Sequence, residues 1–336
     1  MNFNQIFDKV LYFLIMPVVC ICFVTTPATN DTRIFLSAEA IADRFYPLPY
    51  GWDAAYEVKP IGNRILNWIF YKVANTFVPY TANDYTHFGW VVKLTALIIL
   101  LACCWYIAKK IPFTYGFPLL VIGFACQANF GIMMSEWFAA LFSLVGVAMC
   151  FEDNRWWQVP AGALFIFIGL LKGITCFMVF PAICAVYLLG GKIDWPKALG
   201  GYIAGGIAYL ALCFTVWPYS LSDTLMSRYV AHVGAHSWVT LMKYFWITQD
   251  SSNLPRVLAY YVPVLLIGIL IGIYVFLRYV AREDWKKAGL FAGMWLVPIG
   301  IVFAQNEFIV YHYIVLMLPA MVSVMLYARG DKNIKQ

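Results

Sequence analysis

Charged residues are scarce in this chain. Asp, Glu, Lys and Arg supply 12% of its 336 residues while 63% are hydrophobic, whereas about a quarter of an ordinary soluble domain is charged. That balance excludes a water-solvated globular fold and makes a bilayer the expected solvent. Gly/Ser linkers, low-complexity tracts and a solenoid-type period are missing as well. Residues 1–336 therefore read as one integrated domain, not a string of modules. No Gly-rich phosphate-binding loop occurs.

The nine cysteines all fall inside apolar runs, as Cys20, Cys22, Cys103 and Cys104 illustrate. That placement argues against both a disulfide framework and a zinc cluster. The first apolar run, 10–26, lacks an Ala-x-Ala exit and a strongly basic leader. It is expected to be a retained helix, not a cleaved signal.

What is present in quantity is long apolar sequence. Runs near the ~20 residues needed to cross a bilayer occur at 10–26, 88–108, 111–130, 131–151 and 157–171, then at 173–190, 198–217, 257–277, 288–304 and 308–328. The expected fold class is thus an all-α integral membrane protein, a polytopic bundle of about ten transmembrane helices. Basic residues collect in the short connections on one side: Lys109 and Lys110, Arg155, Lys192 and Lys197, Arg278 with Arg282, Lys286 and Lys287. By the positive-inside rule both termini are then cytoplasmic. The membrane is the plasma (inner) membrane if the source is prokaryotic and the endoplasmic reticulum if it is eukaryotic.

Two connections on the opposite side are long. Residues 27–87 form a first extracytoplasmic loop and 218–256 a second large one. Within the first, Ile34, Phe35, Ala38, Ile41 and Phe45 recur at helical spacing, as do Ile65, Leu66, Ile69, Phe70 and Val73 further on, the latter opposite Arg64, Asn67 and Lys72. Both stretches are expected to be interfacial amphipathic helices lying on the outer surface. Treating the second as an eleventh span would put every later basic cluster outside.

Ionisable side chains crowd that outer side. Asp31 stands at the start of the first surface helix, where free N–H groups and the helix dipole favour a carboxylate able to accept a proton from a hydroxyl; it serves equally as a capping or first-turn residue. Glu57 and Lys59 flank Val58 before Pro60 and are able simply to pair with each other. Lys172 interrupts the apolar sequence between two spans, and Glu136 opens the fourth span; each is costly near a membrane unless partnered. Gln305, Glu307 and His312 lie in the last outer turn. His312 either donates to a phosphate or bonds a backbone carbonyl. His232 and His236 have i, i+4 spacing, but no third ligand stands near them in sequence, so no metal site is expected. Gly200, Gly201, Gly205 and Gly206 make a small-xxx-small pattern suited to close helix packing.

Taken in order, these landmarks resemble the GT-C superfamily of membrane glycosyltransferases, which use polyprenyl-phosphate-linked sugars. Asp31-Thr32-Arg33-Ile34-Phe35 after the first span looks like the family's Asp-x-x-x-aromatic. Tyr56-Glu57-Val58-Lys59-Pro60 stands where an aromatic residue and one or two prolines are frequent, although Ile61 replaces a second proline. Ser135-Glu136 and Leu170-Leu171-Lys172 match polar spots at the membrane edge. Gln305 to Pro319, with Phe308, Tyr311 and Leu318, looks like the last outer loop and helix.

The resemblance implies an inverting transfer of a hexosyl or pentosyl unit to a hydroxyl of a lipid-linked or glycan acceptor at the outer surface. Asp31 would be the general base, with Glu57 the alternative. Lys59, Arg64, Lys172 and His312 would bind the donor phosphate; Glu136, Gln305 and Glu307 would contact acceptor or sugar. The implied partners are the polyprenyl-phosphate sugar, a lipid or glycan acceptor and membrane lipids, with no nucleic acid. No cofactor is expected, and a divalent cation is compatible with the scheme. Two other classes fit the hydropathy: a multi-pass lipid or oligosaccharide transporter or flippase, and a membrane acyltransferase or glycan polymerase. The spans are almost free of charge at their centres, which favours interfacial chemistry over transport.

Overall fold

The computed structural model describes residues 3–25, 61–79, 85–127, 135–171, 173–215, 262–304 and 314–329. Among these the regular structure is entirely helical. Phe3–Val10 (α1), a π-helical turn Leu11–Ile15 and Met16–Thr25 (α2) follow without a break. The π turn has a local cause: Pro17 lacks an N–H and its ring crowds the carbonyl one turn back, so the ladder widens just before it. Next come α3 (Ile61–Phe77), α4 (Tyr85–Lys110), α5 (Gly116–Gln127) and α6 (Ser135–Met149). A 3-10 turn, Arg155–Trp157, leads into α7 (Gln158–Leu171), and another, Gly173–Met178, leads into α8 (Val179–Leu188). The remaining helices are α9 (Trp195–Thr215), α10 (Val262–Ala281), α11 (Trp285–Ala304) and α12 (Met317–Ala328).

The connections alternate between two ends. At one end, Lys110 closing α4 meets Glu152 after α6, Gln158 opening α7 bonds residues 192 and 194, and Phe7 packs edge-on against Tyr115 with centroids 5.3 Å apart. Arg329, just past α12, donates to the Pro112 carbonyl at 3.2 Å and the Leu189 carbonyl at 2.9 Å, satisfying acceptors that helix ends leave open. The turns here are tight. Gly190 adopts φ +83° with nothing near the position of a Cβ, so backbone conformation alone selects glycine there.

Among the described residues, ion pairs fasten this end: Lys110–Glu152 at 2.5 Å, Lys197–Asp194 at 2.6 Å and Lys287–Asp284 at 3.0 Å. Partial desolvation pushes the Glu152 carboxyl up, but hydrogen bonds from Lys110 and Tyr106 and the charges of Lys110 and Lys109 outweigh it and hold it below its ordinary value. A depressed folded-state pKa contributes stability above the ordinary carboxylate range and loses it as pH falls through the folded value. Glu152→Gln is therefore expected to cost about 1 kcal/mol at pH 7. It should also flatten the acid side of the curve between about pH 5 and 3. Unfolding midpoints of both proteins across that range check this, and parallel curves would remove the role assigned to the pair.

The core is centred on α6 and α12. Nearly every residue from Glu136 to Leu141 on α6 is buried, and so is every residue from 314 to 323 at the start of α12. The peripheral helices reverse the pattern of a water-soluble bundle, for their outward faces are apolar. Phe13 and Ile21 on the first helical run, Ile98 on α4, Ile207 on α9 and Leu270 on α10 are all more than half exposed. Among the described residues one helix, Gly89–Lys110, is long and apolar enough by length and composition to cross a bilayer; the other apolar stretches are shorter.

Candidate functional site

The opposite end of the bundle carries two buried ionisable side chains, and each is placed by its helix. On α4 the buried stripe runs through Gly89, Lys93, Ala96, Leu100, Cys104 and Ile107 at helical spacing, so Lys93 falls on the inward face. It is 1% exposed and donates to the Phe23 carbonyl at 3.1 Å. Phe23 lies in the last turn of α2, whose carbonyls have no intrahelical partner, so a lysine 70 residues away acts as the helix cap.

Glu136 is the second residue of α6 and is likewise 1% exposed. A carboxylate in a first helical turn is stabilised by the aligned peptide dipoles, which lowers the cost of burying it. Its neighbour Trp137 donates from Nε1 to the Phe124 carbonyl at 3.0 Å, capping α5 as Lys93 caps α2. The Trp137 ring stands edge-on to Phe124 and to Phe138, with centroids 6.2 and 4.9 Å away. These contacts hold the start of α6 rigidly.

Helix α3 lies across the same end. A Cβ on Gly62 would come within 2.7 Å of the Leu170 carbonyl, so the first turn of α3 touches the last turn of α7 backbone to backbone. Eight residues on, Phe70 packs on Phe138, in the first turn of α6, with ring centroids 5.7 Å apart. Both contacts are near helix ends, which lays α3 over the bundle with Leu66, Phe70 and Ala74 facing in. The same end is braced by Thr175, whose hydroxyl donates to the Ile168 carbonyl at 2.5 Å.

Of the residues proposed from sequence, two stand on described elements: Arg64 on the first turns of α3 and Glu136 on α6. Leu170 and Leu171 meet Gly62, but Lys172 lies outside the described residues. So do Asp31, Glu57, Lys59, Gln305, Glu307 and His312, together with the stretch expected to form the first surface helix and the loop 218–256. The arrangement brings the α3 turn bearing Arg64, the residues bracketing Lys172 and the start of α6 to one end. Among the described residues no group of three or more His, Cys, Asp and Glu side chains is placed to hold a metal.

Lys93 is not among the candidate residues that the sequence suggested. Spacing alone gives no signal for it, because α4 is apolar on every side: Trp90, Leu94 and Ile98 on the outward face are as apolar as Ala96 and Leu100 on the inward one. No protein-family model, curated protein or solved structure matches this chain.

Proposed function

We propose that this chain is a polytopic integral membrane protein and an inverting glycosyltransferase of the GT-C type, acting on the side opposite its termini. The membrane reading is supported by the exposed apolar faces of α4, α9 and α10, which water would penalise and lipid would not. The observation that carries the catalytic reading is a difference between the ends. Among the described residues, one end carries the pairs Lys110–Glu152, Lys197–Asp194 and Lys287–Asp284 at its margin, while the other encloses the ionisable side chains of Lys93 and Glu136 beneath a helix laid across it.

In this reaction a polyprenyl-phosphate sugar enters from the outer leaflet. Asp31 takes the proton of the acceptor hydroxyl, whose oxygen attacks the anomeric carbon as the bond to the lipid phosphate breaks. The phosphate leaves with the bonding pair, and cations drawn from Lys59, Arg64, Lys172 and His312 stabilise its charge. A single displacement inverts the anomeric centre. Glu136, Gln305 and Glu307 offer acceptors for sugar or acceptor hydroxyls.

Incubating membranes that hold the chain with a panel of polyprenyl-phosphate sugars, followed by mass spectrometry of lipid and glycan products, tests the proposal. A new glycosidic product dependent on the chain is expected. Movement of an unaltered lipid between leaflets by the purified protein, with no new glycosidic bond, would replace the enzyme with a transporter.

A further inference from the structure

The end bearing the ion pairs also displays side chains that its packing leaves unused. The 3-10 turn Arg155–Trp157 is set by Asn154, whose side-chain oxygen accepts from the Trp156 backbone N–H at 3.0 Å. Beside it, the connection into α9 is clamped by Gln158, which is 2% exposed. Its Nε2 donates to the Lys192 carbonyl at 2.9 Å and its Oε1 accepts from the Asp194 N–H at 2.6 Å. Two short connections are thereby fused into one rigid platform.

That platform presents cations and indoles together. Trp156 is 67% exposed and lies under the Lys197 ammonium, 5.4 Å from the ring centroid. Lys197 also pairs with Asp194, whose carboxyl is held below its ordinary value by that hydrogen bond and, further down, by the charge of Arg155. Arg155 and Lys192 are exposed, and among the described residues neither has an ion-pair partner. From this platform the outward face of α9 continues through Trp195, Leu199, Ile203 and Ile207, each at least half exposed and four residues apart. A charged, indole-lined platform at one end of a bare apolar stripe matches the two halves of a phospholipid.

We propose that this platform and stripe bind an anionic phospholipid of the leaflet on the termini's side. Its phosphate lies at Arg155 and Lys192, its glycerol region at Trp156 and Trp195, and an acyl chain follows α9. Tryptophan favours this level of a bilayer, and each basic side chain near an anionic surface contributes independently. The site rests on the membrane reading but not on the glycosyltransferase one.

The test uses the full chain purified in neutral detergent, with phosphatidylglycerol, phosphatidylcholine or inorganic phosphate added. Native mass spectrometry counts retained lipid, and thermal unfolding reports stabilisation. Phosphatidylglycerol is expected to be retained and to raise the unfolding temperature more than phosphatidylcholine, with no effect of inorganic phosphate. Arg155→Ala with Lys192→Ala should weaken retention roughly fivefold for each charge removed. The charge-keeping pair Arg155→Lys and Lys192→Arg should restore it, and Lys286→Ala, exposed at the start of α11, should leave it unchanged. Equal retention of the two lipids, undiminished phosphatidylglycerol binding by the double alanine variant, or a dimer that covers the α9 stripe would each overturn the site. Release of the chain from membranes by alkaline carbonate without detergent would instead sink the membrane reading beneath it.

Discussion

Asp31→Asn is expected to lower sugar transfer by roughly 10²- to 10⁴-fold, the usual contribution of a positioned general base. The substitution is nearly isosteric, and asparagine caps a helix as well as aspartate does, so folding and membrane insertion should be unaffected. The change removes only the capacity to take the acceptor proton. Thermal unfolding of parent and variant, alongside initial rates with a polyprenyl-phosphate sugar, separates catalysis from stability. Retained transfer by a normally folded Asp31→Asn protein would remove the assignment. If Glu57→Gln abolishes transfer while Asp31→Asn does not, the base is Glu57, six residues after Gly51 in the connector before α3.

The second large effect is expected where α7 and α9 pack. A Cβ on Gly162 would run into the Ala198 carbonyl, and one on Gly201 would run into the Val159 carbonyl and lie 2.8 Å from the Val159 Cα. The obstructing atoms are backbone, which cannot swing aside as a side chain tip would. Replacing a helical glycine with alanine ordinarily stabilises by about 1 kcal/mol through propensity. Here the clash sits at the upper end of the 1–3 kcal/mol that overpacking costs, about 3 kcal/mol. The clash wins, and Gly162→Ala or Gly201→Ala should lose about 2 kcal/mol net. Gly200→Ala is the control, because nothing lies within 4 Å of the added carbon. It should be neutral or stabilising by up to about 1 kcal/mol. Thermal unfolding in detergent checks all three, and equal midpoints for Gly200→Ala and Gly201→Ala would show that α9 does not need its close approach.

That contrast shows what a one-dimensional pattern can carry. The four glycines of α9 announce close packing, yet they do not say which two are in contact. Gly201 and Gly205, on the i, i+4 row, meet Val159 and Ala163, whereas Gly200 faces open space and Gly206 has only an ordinary contact with Ile166. The rotation of α9 about its own axis decides this, and that rotation is a property of its partner α7. In the same way the sequence of α4, apolar on every side, told neither which face Lys93 takes nor what it caps. The carbonyl it meets belongs to a helix 70 residues earlier.

Several helix positions were legible to within a few residues. The run read as 88–108 is a helix from Tyr85 to Lys110, and the run read as 157–171 is one from Gln158 to Leu171. Differences arise where side-chain hydrogen bonds or proline act locally. The run beginning at 111 starts its helix only at Gly116, because Pro112 follows the last turn of α4 and Tyr115 takes a left-handed φ of 56°. The run beginning at 173 opens as a 3-10 turn, where Thr175 ties back to the Ile168 carbonyl.

Scarce charge and long apolar runs therefore indicated, from sequence alone, that the chain is helical and roughly where several of its helices run, because backbone hydrogen bonding is completed within a single helix. The alternation of basic connections indicated which helix ends belong together, because short turns force neighbours to run antiparallel. Tertiary structure alone decided that α3 lies over α6 and α7, that Lys93 and Glu136 are enclosed at the end opposite the ion pairs, and that Gly162 and Gly201 are points of backbone contact. Each of these depends on which helix lies alongside which and at what rotation, and that choice is made by packing between segments far apart in the chain.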